Sequence, residues 1–169
     1  TLPFDESYQE IDNLINRIKY LPVENALVKK IKRRHQVCNI VHSCSEYLSK
    51  GFSYNFTESE FSKIKELHLS LDRLFLQGLD NFELEFMNSV RIPFIVLHFC
   101  LESRNIIAKR LPWTAAASVI ESVDKYQISS ELESKCPKFS EMKKCFEDTA
   151  SKRELLTNQL ERFEKLKKE

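Results

Sequence analysis

The residues best suited to chemistry fall in one stretch. His35, Cys38 and His42 are spaced i, i+3 and i+7, which on a helix places two imidazoles and a thiol on one face. Imidazole and thiolate are zinc ligands, but a closed zinc site takes four, commonly as close pairs from two segments. Cys44 lies two residues past His42 and points ~200° around the helix. His68 or His98 could supply a fourth donor, but nothing in the spacing requires either. The pattern therefore reads as a buried thiol with two histidines at the edge of a helix interface, and no metal or other cofactor is expected. A cysteine nucleophile needs an exposed thiol beside a base, at a helix start or a sharp turn, whereas Cys38 and Cys100 sit mid-helix in apolar runs. Glu83 and Glu85 are two apart and diverge on a helix. Glu-x-x-His, which a four-helix di-iron site uses twice, does not occur. The expectation is a segment without catalytic constellation or small-molecule substrate.

A second group is charged rather than reactive. Lys29-Lys30-Ile31-Lys32-Arg33-Arg34-His35 is a basic run. On a helix Lys29, Lys32 and Arg33 share a face, with Lys30 and Arg34 to its side, and these five are the expected partner-binding residues. Residues 24–50 carry six basic against two acidic side chains, whereas residues 51–102 carry four basic against eight acidic. Either these are two solvated faces of one domain, or the basic stripe meets an acidic partner. Four phosphate contacts would give a salt slope of about −3.6 on duplex DNA. No aromatic residue interleaves with the run to stack bases, which argues against single strands. A run of this kind also fits a nuclear localisation signal.

The elements that must hold these residues follow from composition. The chain has 169 residues, net charge +1, 42% hydrophobic side chains and 12 Phe, so it can bury a core without disulfides or metal. Two glycines and five prolines are too few for a β-sandwich or barrel, and no glycine-rich phosphate loop can be assembled. The five cysteines (38, 44, 100, 136 and 145) are odd in number and form no C-x-x-C. They behave as small hydrophobes and imply a reducing compartment, nucleus or cytosol. No stretch of ~18 uncharged apolar residues is present, so no membrane span or membrane partner is expected. Thr1 without a preceding Met suggests a piece of a longer protein.

Apolar spacing of three and four predicts about six helices. The first carries Tyr8, Ile11, Leu14, Ile15 and Ile18 and stops near Tyr20, ahead of Pro22. The second runs from about Glu24 to Lys50, with a seam at Leu27, Ile31, Arg34, Cys38, Val41, Ser45 and Leu48 and Gly51 at its end. Thr57-Glu58-Ser59-Glu60 is a capping box, followed by Phe61, Ile64, Leu67, Leu71, Leu74 and Phe75 on one face. Gln77-Gly78 ends that helix, and Asp80 or Asn81 caps the next. Pro93 predicts a kink or break, and Phe94 to Ala108 is the most apolar segment. Thr114 is the expected N-cap of a helix burying Ala117, Ile120, Val123 and Tyr126. A looser stretch from Ser129 is interrupted by Pro137. The last helix starts near Ser140, with a seam at Met142, Phe146, Thr149, Arg153, Leu156, Leu160 and Phe163.

The breaks at Tyr20-Leu21-Pro22-Val23, Phe75-Leu76-Gln77-Gly78 and Tyr126-Gln127-Ile128-Ser129 recur every 50 to 55 residues, each followed by a longer helix. This reads as a hairpin of a short and a long helix used three times, over 5–50, 57–110 and 114–169, within a single helical domain, 1–169. The fold class is all-α, antiparallel helical hairpins stacked as a short array or bundle. A helix, then Leu21-Pro22-Val23, then a long amphipathic helix resembles the PLU-like helical region of the jumonji/ARID histone lysine demethylases. Thr57 to Leu79 is the second match, without the proline, and Thr114 to Ile128 the third. That family often places a Trp in the long helix, where this chain has Cys38, Val41 and Tyr47. The resemblance implies a non-catalytic scaffold and protein-interaction segment of a nuclear chromatin-modifying protein. Its partners would be other subunits of a larger complex, with weak nucleosome or DNA contact through residues 29–35. It carries over no catalytic or metal residue. An adaptor or tethering subunit of the cytoskeleton or membrane traffic, cytoplasmic rather than nuclear, is the alternative.

Overall fold

The computed structural model describes residues 4–19 and 26–167, which form seven α-helices and, among the described residues, no strand. They are α1 (Phe4–Ile18), α2 (Ala26–Ser49), α3 (Glu58–Leu76), α4 (Asn81–Lys109), α5 (Trp113–Tyr126), α6 (Ser129–Lys135) and α7 (Pro137–Leu166). The protein is all-α. The Leu21-Pro22-Val23 break and the expected start of the second helix at Glu24 lie outside the described residues. The chain divides into two compact units, Thr1–Ile95 and Val96–Glu169, and α4 contributes residues to both.

In the first unit α2 packs against α1 and α3. Its core is Val28, Val37, Cys38, Val41 and Cys44 of α2, Ile64, His68, Leu71 and Leu74 of α3, and Met87, Val90, Phe94 and Ile95 of α4. The seam of α2 is therefore rotated from the one its sequence suggests: Leu27 is 64% exposed and Val28 is buried in its place. The two residues differ little in hydropathy, so periodicity alone could not choose between them. The capping box of α3 forms as its sequence dictates. The Glu60 amide donates to Thr57 Oγ1 at 3.3 Å, and the Thr57 amide donates to Glu60 Oε2 at 2.8 Å. A second reciprocal cap opens α4, where the Glu83 amide donates to Asp80 Oδ1 (2.9 Å) and the Asp80 amide to Glu83 Oε2 (3.0 Å). Gly51 and Gly78 follow α2 and α3 at φ +80° and +78°, the left-handed conformation glycine adopts without steric cost.

Of the kink or break expected at Pro93, the break does not occur: α4 runs continuously through it. Proline removes one helical hydrogen bond and crowds the preceding turn. Immediately after it, the eight residues 94–101 are all buried, and burial on every face holds the helix together across that cost. By length and composition α4 is apolar enough to cross a membrane, and 56% of its most apolar stretch is packed inside the protein, as in the core helix of a folded domain.

In the second unit α7 packs against α5 and α6. The core takes Val96, Leu97, Phe99, Cys100 and Ile106 from α4, Ala116, Val119 and Val123 from α5, Ile128, Leu132 of α6, Cys136, and Phe139 and Met142 of α7. α5 starts two residues earlier than its Thr signal suggests. Pro112 occupies the N-cap position and accepts the Ala115 amide through its carbonyl, which leaves Thr114 inside the helix. The buried face moves accordingly to Ala116, Val119 and Val123. Pro137 interrupts the segment as expected, since α6 ends at Lys135, and it also opens α7, because the first helical position needs no N–H donor. Residues 129–135, expected to be loose, form the short helix α6.

Two helix ends use non-glycine residues in the left-handed conformation, Arg110 at φ 49° after α4 and Gln127 at φ 57° after α5. Each makes the paired closure of a Schellman turn. The Arg110 amide reaches the Ile107 carbonyl and the Leu111 amide reaches Ile106. The Gln127 and Ile128 amides likewise reach Asp124 and Val123.

Candidate functional site

The five basic residues singled out from the sequence do not share one fate. Arg33 Nε donates to both carboxylate oxygens of Glu83, at 3.1 and 3.3 Å, and an Arg33 terminal nitrogen donates to the Gly78 carbonyl. Arg34 donates to Asp80 Oδ2 at 3.1 Å, and its guanidinium lies 4.5 Å from the centroid of the Phe82 ring. Lys30 comes within 3.8 Å of the same Asp80 oxygen. Three of the five are thus turned onto the α3–α4 turn, within the first unit. Lys29 and Lys32 are exposed.

The acidic side of this brace is the capping box of α4. Glu83 is 2% exposed, and its carboxylate is held by Arg33 and by the Asp80 amide, so a buried charge is fully paired. The Glu83 amide, and then the Arg34 guanidinium, hold the Asp80 carboxyl below its ordinary value. Glu85 is exposed, away from its neighbour in sequence. The basic run and the acidic stretch are therefore partly each other's partners.

His35, Cys38 and His42 are not gathered into a ligand set. His35 Nε2 lies 3.2 Å from Asp12 Oδ1 of α1, and His42 Nε2 lies 3.6 Å from Glu46. Cys38 is buried, which pushes its thiol upward, and Cys44 is pushed up to about 12 for the same reason. His68 and His98 each face a carboxylate one turn on, Asp72 and Glu102. Among the described residues no three His, Cys, Asp or Glu side chains are grouped to hold a metal ion.

One thiol does sit at a helix start. Cys136 precedes α7, and its Sγ donates to the Cys100 carbonyl at 3.7 Å. The Cys100 thiol, together with the Phe139 amide, pulls the Cys136 thiol below its ordinary value, while Cys100 moves upward. Both cysteines are fully buried. The sequence concealed this thiol because Pro137 reads as an interruption and does not show that it is also a first helical residue.

The feature that sequence reading missed lies on the distal part of α7. Every residue from 151 to 167 is exposed, including Leu155, Leu156, Leu160, Phe163 and Leu166, at 57–70%. Proximal to it, Phe139 and Met142 are buried in the second unit, and Phe146 stacks on Trp113 at 4.7 Å between ring centroids. Arg153 then lies 4.8 Å over the same Trp113 ring. The seam Met142, Phe146, Thr149, Arg153, Leu156, Leu160, Phe163 is thus one continuous 4-3 repeat, covered at its start and bare beyond Arg153. An open hollow of about 280 Å³, lined in part by Ile106, Leu111, Trp113, Met142 and Phe146, marks where the cover ends. The signal was present: the 4-3 spacing runs to the end of α7, beyond the length of α5 and α6, the helices that pack on it.

Compared with known protein families, with curated proteins and with solved structures, the chain matches none of them.

Proposed function

We propose that the chain is a non-catalytic helical scaffold that offers the distal seam of α7 to a partner helix. The observation that carries this reading is the row of Leu156, Leu160 and Phe163, with Leu166 on its flank, left exposed by a helix whose preceding turns are packed. An apolar row of this extent marks an interaction site on a folded protein, and its 4-3 spacing is what a second helix recognises in knobs-into-holes packing. The braced basic run supports the same reading from the other side. With Arg33, Arg34 and Lys30 engaged with Glu83 and Asp80, the basic face open to phosphates is smaller than its sequence suggests, and nucleic acid becomes an auxiliary contact of the 29–35 run. The setting we propose, a nuclear chromatin-modifying assembly of the jumonji/ARID kind, rests on the Leu21-Pro22-Val23 resemblance alone.

The test is the size of the native complex. In a cell extract the tagged chain should elute above the size of a single copy, in nuclear fractions. The combined change Leu156→Glu and Leu160→Glu should return it to its own size. A variant that stays in the large complex would remove the seam from the proposal. A complex confined to cytoskeletal or vesicle fractions would replace the chromatin setting with that of an adaptor.

A further inference from the structure

We propose that the occupant of the distal α7 seam is a second copy of this chain, laid antiparallel to the first. This rests on the reading of the seam as an interface and goes further by naming what covers it. A seam that alternates by four and three under-winds into a left-handed coiled coil, so its occupant is a helix with the same repeat. α7 carries that repeat from Met142 to Phe163.

The charges on the seam decide the orientation. In a parallel pair Arg153 would stack on Arg153, placing like charges face to face. In an antiparallel pair centred between Leu156 and Leu160, Leu156 of each copy meets Leu160 of the other, and Arg153 meets Phe163. Glu164 follows Phe163 and lies on the flank of α7 that Arg153 also occupies, ~20° from it around the helix. Arg153 of each copy therefore reaches an aromatic face and a carboxylate of the other at both ends of the contact. One face of the Arg153 guanidinium lies over Trp113, and its planar group has a second face for Phe163.

The apolar surface is sufficient for a reversible dimer. Leu156, Leu160 and Phe163 of the seam, with Leu166 on its flank, are 57–70% exposed and form a patch of roughly 400 Å². Two such patches cover about 800 Å² of apolar surface together, the size of a weak, reversible contact. That size and the pairing of one seam with itself point to micromolar affinity.

The experiment is sedimentation velocity of the purified full chain from ~1 to ~200 μM, a range that brackets micromolar affinity. A concentration-dependent shift from one copy to two is expected. Leu160→Glu should abolish it, with helix content unchanged by circular dichroism. Arg153→Glu and Glu164→Arg should each weaken it about tenfold, and the two together should restore it to within about threefold. A spin label at Thr149→Cys, with Cys145→Ser, should report roughly 27 Å between copies, against roughly 10 Å for a parallel pair, at 1.5 Å of rise per residue. A chain that stays single at the highest concentration, or a dimer indifferent to Leu160→Glu, overturns the proposal. So does failure of the charge exchange to restore association, or the short label distance. A single-copy chain whose complex in extract still depends on Leu156 and Leu160 would sink the second copy alone, and the interface reading would stand on a foreign helix.

Discussion

The basic run of α2 and the distal seam of α7 exchange the roles their compositions suggest. Five cations in six residues look like a surface for a partner, yet Arg33 and Arg34 are turned onto Glu83 and Asp80. A 4-3 row of leucines looks like core, yet Leu156 and Leu160 stand in solvent. The difference is one of availability. α2 has an acidic helix start within reach in its own unit, whereas α7 outruns the helices that pack on it. Charge and hydropathy state what a side chain seeks; the fold decides whether the chain itself supplies it.

The largest expected effect sets core leucine against seam leucine. Leu97 is fully buried in the second unit, and Leu97→Ala should cost about 2–5 kcal/mol in urea denaturation. Leu160→Ala should change stability by less than ~0.5 kcal/mol, as surface substitutions do. Equal losses would mean that the seam is covered within one copy.

The brace makes the next test. Arg33→Ala leaves the Glu83 carboxylate buried beside a single amide, and should cost about 3 kcal/mol. Lys29→Ala, on the same helix and exposed, should stay within ~0.5 kcal/mol. A near-zero result for Arg33→Ala would return the whole run to the solvent and restore it as a partner face.

The turns that were legible and those that were not differ in kind. Thr57-Glu60, Gly51 and Gly78 act through their own few atoms, and the structure uses them as their sequence states. Thr114, Pro137 and Pro93 are each locally ambiguous. Thr114 loses the cap position to Pro112. Pro137 can end one helix or begin another, and Pro93 is tolerated where apolar burial follows it. The choice between Leu27 and Val28, like the bareness of the α7 seam, depends on which neighbours arrive, and that is a tertiary fact. Of the candidate site, the charges were visible from spacing, but their partners 45 to 50 residues away were not.

The left-handed helix ends sharpen the contrast between local and tertiary control. Arg110→Gly and Gln127→Gly relieve a backbone conformation that costs a non-glycine residue ~1 kcal/mol. Each should raise stability by about 0.5–1 kcal/mol in the same denaturation assay. A loss at Arg110 would show that its side chain contributes more than its backbone strain costs.

A smaller effect is tied to pH. Lys50, then the Thr57 amide and hydroxyl, hold Glu60 at about 2, against an ordinary 4.5. The unfolded chain therefore binds a proton at higher pH than the folded one. The contribution of this carboxylate is complete above about 4.5 and is lost as pH falls towards 2. Glu60→Gln keeps the cap geometry without the titration. Its melting temperature should fall less than that of the parent between pH 5 and pH 2.5, and parallel falls would contradict the assignment.

The central claim is that the distal seam of α7 faces outward to a partner and adds nothing to the stability of a single copy. Thermal unfolding of the Leu156→Glu and Leu160→Glu chain, beside the parent at a dilution where both are single, tests it directly. The account predicts melting temperatures within ~3 °C of each other, the span of about 1 kcal/mol for a chain of this length. A fall of ~8 °C or more would place those leucines in the core of the single chain and contradict it.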